Sequence, residues 1–312
     1  MRCYTTPERA RLHRYTARMR DRRRRLLARV ERLLELGVEL LERLVGQPPS
    51  HGFFRDHLAF RWDGASGPGR LVAIREPARF ALSDLLGVER SVAALDRNTR
   101  QFMAGLPYND VLLYGERGTG KSSSVRGLLD RYGAAGLRVV EVDRSQLVCL
   151  PLVLATLPQD ADLFFLIFCD DLSFGANESG YRELKAALEG SIEATPANVC
   201  IIATSNRRHI VSESMAENRA ARVDADGELH HGEALEEKLA LSDRFGLVLG
   251  FYNFDQPTYL AIVAQYLEQA GMGDRFEALR PDALRWALSR GTRSGRTARQ
   301  FVDDAVGRHR LG

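Results

Sequence analysis

The amino-acid sequence predicts an α/β protein in which helices cover both faces of a largely parallel sheet. Five nearly continuous apolar runs of strand length alternate with helical segments from about residue 80 onward, and such runs are typical of strands buried on both faces. The pattern G-x-x-x-x-G-K-S follows the first run and precedes a helical segment. This order is that of a parallel sheet that binds phosphate at its carboxyl edge.

The elements along the chain agree with this class. The apolar runs span residues 111–114, 137–143, 163–170, 198–205 and 247–254. Before them, residues 60–74 contain two short strand patterns around a Gly-rich turn. After them, helical patterns begin at Gln256-Pro257 and again at Pro281-Asp282, because proline favours the first turn of a helix. We therefore expect a sheet domain followed by a helical C-terminal domain.

Composition is ordinary for a soluble globular protein, with 45% hydrophobic and 27% charged residues. No apolar run approaches the roughly 18–20 residues that cross a membrane. The four cysteines are scattered without the spacing of a metal site, which predicts reduced thiols and a cytoplasmic location.

The basic charge of the chain is concentrated near its N-terminus. The first 50 residues contain 13 arginines and 6 acidic residues, a net charge of +7, whereas the whole chain carries +3. Residues 18–44 combine good helix formers with Leu and Val at helical spacing, which predicts a helix with a cationic first half and an amphipathic second half. Such an arm can bind nucleic-acid phosphates or a partner helix, and both alternatives stay open.

The segment GERGTGKS (115–122) is a complete phosphate loop. Its glycines allow the backbone to curl so that N–H groups point at phosphate oxygens, and the following helix adds its positive N-terminus. Lys121 is one of only three lysines against 41 arginines, and it can reach the β- and γ-phosphates of ATP, while the Ser122 hydroxyl can bind Mg²⁺. The predicted nucleotide-binding residues of the loop are Gly115, Gly118, Thr119, Gly120, Lys121, Ser122 and Ser123.

Two adjacent carboxylates, Asp170 and Asp171, end the apolar run FFLIFCD. Because parallel strands end at one edge of the sheet, both acids are expected beside the phosphate loop. We expect Asp170 to hold Mg²⁺ through water and Asp171 to orient or deprotonate the attacking water. Many enzymes with a phosphate loop carry glutamate at the second position. The shorter Asp171 must therefore lie closer to the attacking water or act through a second water molecule.

The segments LLYGERGTGKSS, FCDDLSF, ATSNRRH, LSDRFG and SRGTRSGRTARQF resemble, in order and spacing, those of the AAA+ ATPase superfamily. The chain is most similar to a bacterial family of AAA+ proteins without an assigned role. The resemblance implies a P-loop αβα sandwich with a five-stranded sheet and a small helical lid. It predicts a basic helical arm over 1–45, a linker with short strands over 46–79, a nucleotide-binding domain over 80–255 and the lid over 256–312.

The resemblance also implies roles for polar residues outside the loop. Asn206, at the end of a strand, would contact the γ-phosphate and the attacking water; an ordinary Asn in a turn is the alternative. Arg244 resembles an arginine finger that enters the neighbouring subunit's site, which requires a ring or filament. A salt bridge to Asp243 or Glu237 is the alternative for Arg244.

Two further assignments concern the lid and the base. Arg296 is the residue expected to contact the γ-phosphate from the lid, with Arg293 as the alternative and a solvated helix face as a third interpretation. Gly87 and Val88, in LSDLLGVER, are expected near the adenine.

Three functions agree with these patterns. The first is an oligomeric Mg²⁺-dependent ATPase that remodels or loads a macromolecular partner. The second is a DNA-associated loader or motor, since the DDLSF ending resembles replication initiators and helicase loaders. The third is an ATP-gated scaffold or switch that hydrolyses little, which the replacement of glutamate by Asp171 favours. The interval 144–162 has no aromatic residue and no glycine, which argues against a peptide-threading unfoldase.

Overall fold

The computed structural model describes Arg32 and residues 49–64, 69–172, 180–189, 195–206, 222–223, 229–230 and 244–311. The predicted arm, apart from Arg32, and most of the segment 207–236 lie outside these residues. The helices are α1 His51–Asp56, α2 Glu89–Met103, α3 Lys121–Tyr132, α4 Leu150–Thr156, α5 Gly180–Glu189, α6 Gln256–Gln269, α7 Phe276–Arg290 and α8 Gly295–Leu311. The strands are β1 Ala59–Asp63, β2 Arg70–Ile74, β3 Val111–Gly115, β4 Leu137–Glu141, β5 Phe164–Cys169, β6 Val199–Ser205, β7 Arg222–Val223, β8 Leu229–His230 and β9 Leu247–Phe251.

The main sheet confirms the predicted class but has seven strands instead of five, in the order β2-β1-β4-β5-β6-β3-β9. The five predicted strands pair in parallel. The two additional strands form an antiparallel hairpin whose first strand pairs in parallel with β4. The hairpin was predicted as strands, but its membership of the sheet depends on long-range pairing that local sequence does not reveal.

The central strands are buried on both faces, as their continuous apolar runs predict. All seven residues of β6 are buried, and five of the six residues of β5 are buried. Successive side chains point to opposite faces, so Leu112 and Leu113 belong to two separate apolar clusters, one on each side of the sheet. This burial fixes the positions of the carboxyl ends of β3, β5 and β6 relative to one another.

A buried arginine joins α1 to the sheet. Arg138 in β4 is only 6% exposed. Its guanidinium donates hydrogen bonds of 2.6 Å to the carbonyl of Phe54, 2.8 Å to that of Gly133 and 2.9 Å to that of Leu137. Burial lowers the pKa of Arg138, and the carbonyl oxygens replace the water that the charged group loses.

Three long helices, α6 to α8, follow the sheet and form the predicted helical C-terminal region. Helix α6 begins as predicted, with the Asp255 carboxylate accepting a 2.9 Å hydrogen bond from the backbone N–H of Thr258. A helix start at Pro281 was wrong, because this proline lies inside α7, which begins at Phe276. Among the described helices, none is long and apolar enough to cross a membrane.

Candidate active site

A cavity of about 920 Å³ lies at the carboxyl edge of the sheet. Its floor is the phosphate loop with the first turn of α3, and the polar residues that end β5 and β6 form one side. Residues 79–81 and 84–86 and the lid helices α6 and α8 form the remaining walls. The cavity thus joins the segments that the sequence pattern assigned to one site.

The glycines of the phosphate loop have conformations that other residues rarely adopt. Gly115, Gly118 and Gly120 have φ values of +134°, +79° and +107°. A Cβ on Gly115 would lie 1.8 Å from the carbonyl oxygen of Phe251, and one on Gly118 would lie 2.8 Å from Cβ of Arg296. The loop therefore requires glycine both for its curvature and for its contacts with β9 and the lid. The buried Thr119 closes the turn, because its hydroxyl donates a 2.8 Å hydrogen bond to the Glu116 carbonyl.

The Lys121 side chain contacts the start of the phosphate loop and the residue that follows β6. Its Nζ donates 2.7 Å hydrogen bonds to the carbonyls of Gly115 and Glu116 and contacts Oδ1 of Asn206 at 3.4 Å. Burial lowers the pKa of Lys121, while the nearby Asp170, among other carboxylates, raises it. A partly desolvated ammonium group at this position attracts phosphate strongly, because few water molecules compete for it.

The first acid of the pair is held by two hydroxyl groups. Oδ1 of Asp170 accepts a 2.8 Å hydrogen bond from Ser122 and a 2.5 Å hydrogen bond from Thr204. The Thr204 hydroxyl also accepts a 2.8 Å hydrogen bond from the backbone N–H of Asp171. Sequence reasoning missed Thr204; the polar residue that directly follows the apolar run VCIIA is the signal that could have revealed it.

The second acid has an unusual backbone. Asp171 has φ +53°, and among the described residues it is the only non-glycine with a positive φ. Its Oδ1 accepts a short hydrogen bond from Nδ2 of Asn206, and its Oδ2 lies 3.7 Å from Nη2 of Arg117. A left-handed conformation is uncommon for residues other than glycine, although aspartate adopts it more readily than most, and such conformations are found at functional sites.

The lid contributes two arginines to the cavity. Arg296 lies at the start of α8, and its backbone N–H approaches the carbonyl of Gly118 at 3.4 Å. Arg299, one turn later, also lines the cavity and lies over the ring of Tyr266 with 5.4 Å between Cζ and the ring centroid. Arg293 is not among the described lining residues. Sequence reasoning missed Arg299, although the spacing of three residues places it on the same helix face as Arg296.

Part of the cavity lining is apolar or aromatic. It includes Leu85 and Leu86 from the segment before α2 and Ile262 and Tyr266 from α6. Gly87, predicted near the adenine, does not line the cavity; it packs against the lid, since a Cβ there would lie 2.6 Å from the methyl group of Thr258. Val88, also predicted near the adenine, is buried outside the lining, within 4.0 Å of a Cβ built on Gly120.

The family described as "Protein of unknown function (DUF815)" matches residues 55–309, which include every segment of this cavity. The chain belongs to the DUF815 family. The membership confirms the predicted kinship with a family that lacks an assigned role. Among curated proteins, none matches the DUF815 chain significantly.

Solved structures of AAA+ proteins are similar to this DUF815 chain. The Holliday junction branch migration motor RuvB of Thermotoga maritima has 14% identity and a TM-score of 0.40, covering 72% of this chain and 71% of RuvB. The FIGL-1 AAA domain in complex with ADP has 18% identity, a TM-score of 0.47 and 74% coverage of each chain. The Aeropyrum pernix ORC2 protein has 12% identity and a TM-score of 0.41, covering 69% of this chain and 67% of ORC2.

Arg244 lies away from the cavity in the DUF815 chain. It precedes β9 at the strand's amino end, whereas the phosphate loop follows the carboxyl end of β3. Because Leu247 pairs with Val111 and Phe251 with Gly115, the whole strand separates Arg244 from the loop of the same chain.

The oxygen donors at the floor of the cavity suit Mg²⁺. The Ser122 hydroxyl and the Asp170 carboxylate are within 2.8 Å of each other at the end of the phosphate loop. Mg²⁺ prefers oxygen ligands and is usually held by one or two protein groups together with phosphate and water. The donor set of the DUF815 chain therefore fits this ion.

Proposed function

We propose that this protein is a Mg²⁺-dependent ATPase that acts as an oligomer to remodel or load a macromolecular partner. The observation that carries the proposal is that Lys121, Ser122, Asp170, Asp171 and Asn206 line one cavity with the arginines of the lid. These are the groups that phosphoryl transfer to water requires: cations for the phosphates, oxygen ligands for Mg²⁺ and a carboxylate beside the nucleophile.

In hydrolysis, the oxygen of water forms a bond to the γ-phosphorus and the bond from that phosphorus to the β–γ bridging oxygen breaks. Asp171 orients the water and accepts its proton, and Asn206, hydrogen-bonded to Asp171, fixes the position of this carboxylate. The loop N–H groups and Lys121 bind the β- and γ-phosphates. Ser122 and Asp170 would hold Mg²⁺, which neutralises charge on the phosphates.

The lid would couple the nucleotide to movement. Arg296 belongs to α8, and its backbone touches the loop at Gly118. A γ-phosphate that binds both Lys121 and Arg296 draws the lid towards the sheet, and its release after hydrolysis removes this contact. Arg244 would complete the site of a neighbouring subunit and stabilise the charge on the transferring phosphoryl group.

An ATP-gated switch with little hydrolysis is the second candidate. It is favoured by the side chain at position 171, which is shorter than glutamate and already bonded to Asn206. In this case, ATP would shift the population of lid positions without turnover.

The experiment that tests the proposal is Mg²⁺·ATP hydrolysis per subunit over a wide range of protein concentration. We expect a rate that rises with concentration to a plateau. A mixture of R244A and D171N subunits, each inactive alone, should recover activity because mixed neighbours form complete sites. A negligible rate despite ATP binding would favour the switch, and a substantial rate without concentration dependence would remove the role of Arg244.

A further inference from the structure

Arg117 lies in the phosphate loop and faces the acid that we propose to act on water. Its Nη2 is 3.7 Å from Oδ2 of Asp171. The other oxygen of this carboxylate accepts the hydrogen bond from Nδ2 of Asn206. Each oxygen of Asp171 therefore faces its own donor, one from the loop and one from the residue that follows β6.

The phosphate-loop pattern does not require an arginine at this position, which is one of its four unrestricted places. The Arg117 side chain is 72% exposed, so it contributes little to packing of the protein interior. Both Arg117 and Asp171 line the cavity. The arginine therefore adds a cation at the oxygen of Asp171 that does not face Asn206.

The electrostatic argument concerns two anions at one end of the cavity. A terminal phosphate and the Asp171 carboxylate repel each other, and water screens part of this repulsion because the Asp171 side chain is 59% exposed. This repulsion favours rotation of the carboxylate away from the phosphate, against the hydrogen bond from Asn206. A guanidinium group beside the carboxylate offsets its negative charge and so weakens its repulsion of the phosphate.

We propose that Arg117 is a positioning residue that holds the Asp171 carboxylate at the phosphate loop and screens it from the terminal phosphate. The inference rests on the proposed function, since it assumes that the cavity binds a nucleoside triphosphate. It differs from a plain phosphate contact because Arg117 acts through Asp171. The effect of removing Arg117 must then depend on the charge at position 171.

The first test is a double-mutant cycle in nucleotide binding, which needs no hydrolysis. The dissociation constants of adenylyl imidodiphosphate and ADP are measured for the full chain and for R117Q, D171N and the double variant. We expect R117Q to weaken binding of the triphosphate analogue about 3–5-fold when Asp171 is present and less than about 2-fold when it is Asn, as for an exposed ion pair. The ADP constants should change less than about 2-fold in all variants, because ADP has no terminal phosphate beside Asp171.

The second test separates positioning from binding in steady-state kinetics. We expect R117Q to lower kcat about 10-fold, with a rise in KM no larger than the roughly 3–5-fold weakening of triphosphate binding, and R117K to recover part of kcat. R308Q is the matched control, because Arg308 also forms an exposed ion pair with an aspartate, at 2.8 Å from Asp304, near the C-terminal end of α8. It should leave kcat and both binding constants unchanged.

The outcomes distinguish this inference from the proposed function. Equal weakening of both nucleotides, or the same effect of R117Q with Asp171 and with D171N, overturns the positioning role. If R117Q and D171N are coupled in nucleotide binding but the wild type does not hydrolyse ATP, the role of the Arg117–Asp171 pair is supported and the proposed ATPase activity is refuted. Normal hydrolysis by the wild type without coupling removes the Arg117 role alone, and absence of nucleotide binding overturns both.

Discussion

Replacing Gly115 by alanine tests how closely the phosphate loop is joined to the edge strand β9. A Cβ at this position would lie 1.8 Å from the Phe251 carbonyl oxygen, whereas real Cβ atoms essentially never approach within 3.0 Å. The two strands must therefore separate by at least 1.2 Å, the difference between these values. This separation breaks the 3.1 Å hydrogen bond from the Glu116 N–H to the Phe251 carbonyl.

The free energy of unfolding should fall by the sum of two effects. The left-handed conformation costs an alanine about 1–2 kcal/mol, and the unsatisfied backbone groups cost about 1–3 kcal/mol. We therefore expect G115A to lose about 2–5 kcal/mol, measured by urea unfolding with an unchanged m-value.

Gly105 provides a matched control for this prediction. It also has a positive φ, +66°, but a Cβ there would meet no atom within 4 Å. We expect G105A to cost only the conformational part, about 1–2 kcal/mol. If G115A and G105A lower the urea midpoint equally, the close contact between the loop and β9 does not exist and the reasoning is refuted.

Three other variants test separate parts of the structure. T204V should lower kcat about 10-fold, because the hydroxyl that donates to Asp170 is lost, while adenylyl imidodiphosphate binding changes little; unchanged turnover contradicts this. R138M should lower the free energy of unfolding by about 2–4 kcal/mol in urea titrations, since buried carbonyls lose their donor. Burial raises the pKa of Asp110 from 3.8 to about 6, although the hydrogen bond from the Ile201 N–H opposes this shift. The folded protein is therefore more stable at low pH, where this carboxyl is protonated, and it loses that stability as the pH rises from 3.8 to about 6. Urea titrations should therefore show D110N to be about 1–2 kcal/mol more stable than wild type at pH 8 and equal to it at pH 4; the same difference at both pH values would contradict the cause.

The sequence predicted the central sheet because burial on both faces leaves a continuous apolar run. The run FFLIFC became β5 with only one residue that is not fully buried. The same logic does not reach β1 and β2, whose pairing with each other and with β4 depends on distant segments. Pro281 misled the prediction of the lid for another reason: tertiary packing of α7 outweighs the missing N–H of one proline.

For the candidate site, sequence predicted residues whose type is constrained by the chemistry and missed those that act by position. Lys121, Ser122 and Asp170 follow from the loop pattern and from the end of a buried strand, and they lie around one cavity. For Thr204 the sequence shows only a polar residue after an apolar run, and Arg117 carries no pattern of its own. Their relevance appears only when the fold brings the first within 2.5 Å of Asp170 and the second within 3.7 Å of Asp171.

The position of Arg244 restricts the way in which it could take part in hydrolysis. The five residues of β9 rise about 3.3 Å each, so Leu247 and Phe251, which end this strand, are about 13 Å apart. Arg244 precedes Leu247, at the edge of the sheet opposite the cavity. This distance exceeds the length of an arginine side chain, so Arg244 cannot reach the phosphate loop of its own chain. If it takes part in hydrolysis, it does so in a neighbouring subunit, and the turnover of R244A subunits must then depend on the subunits with which they are mixed.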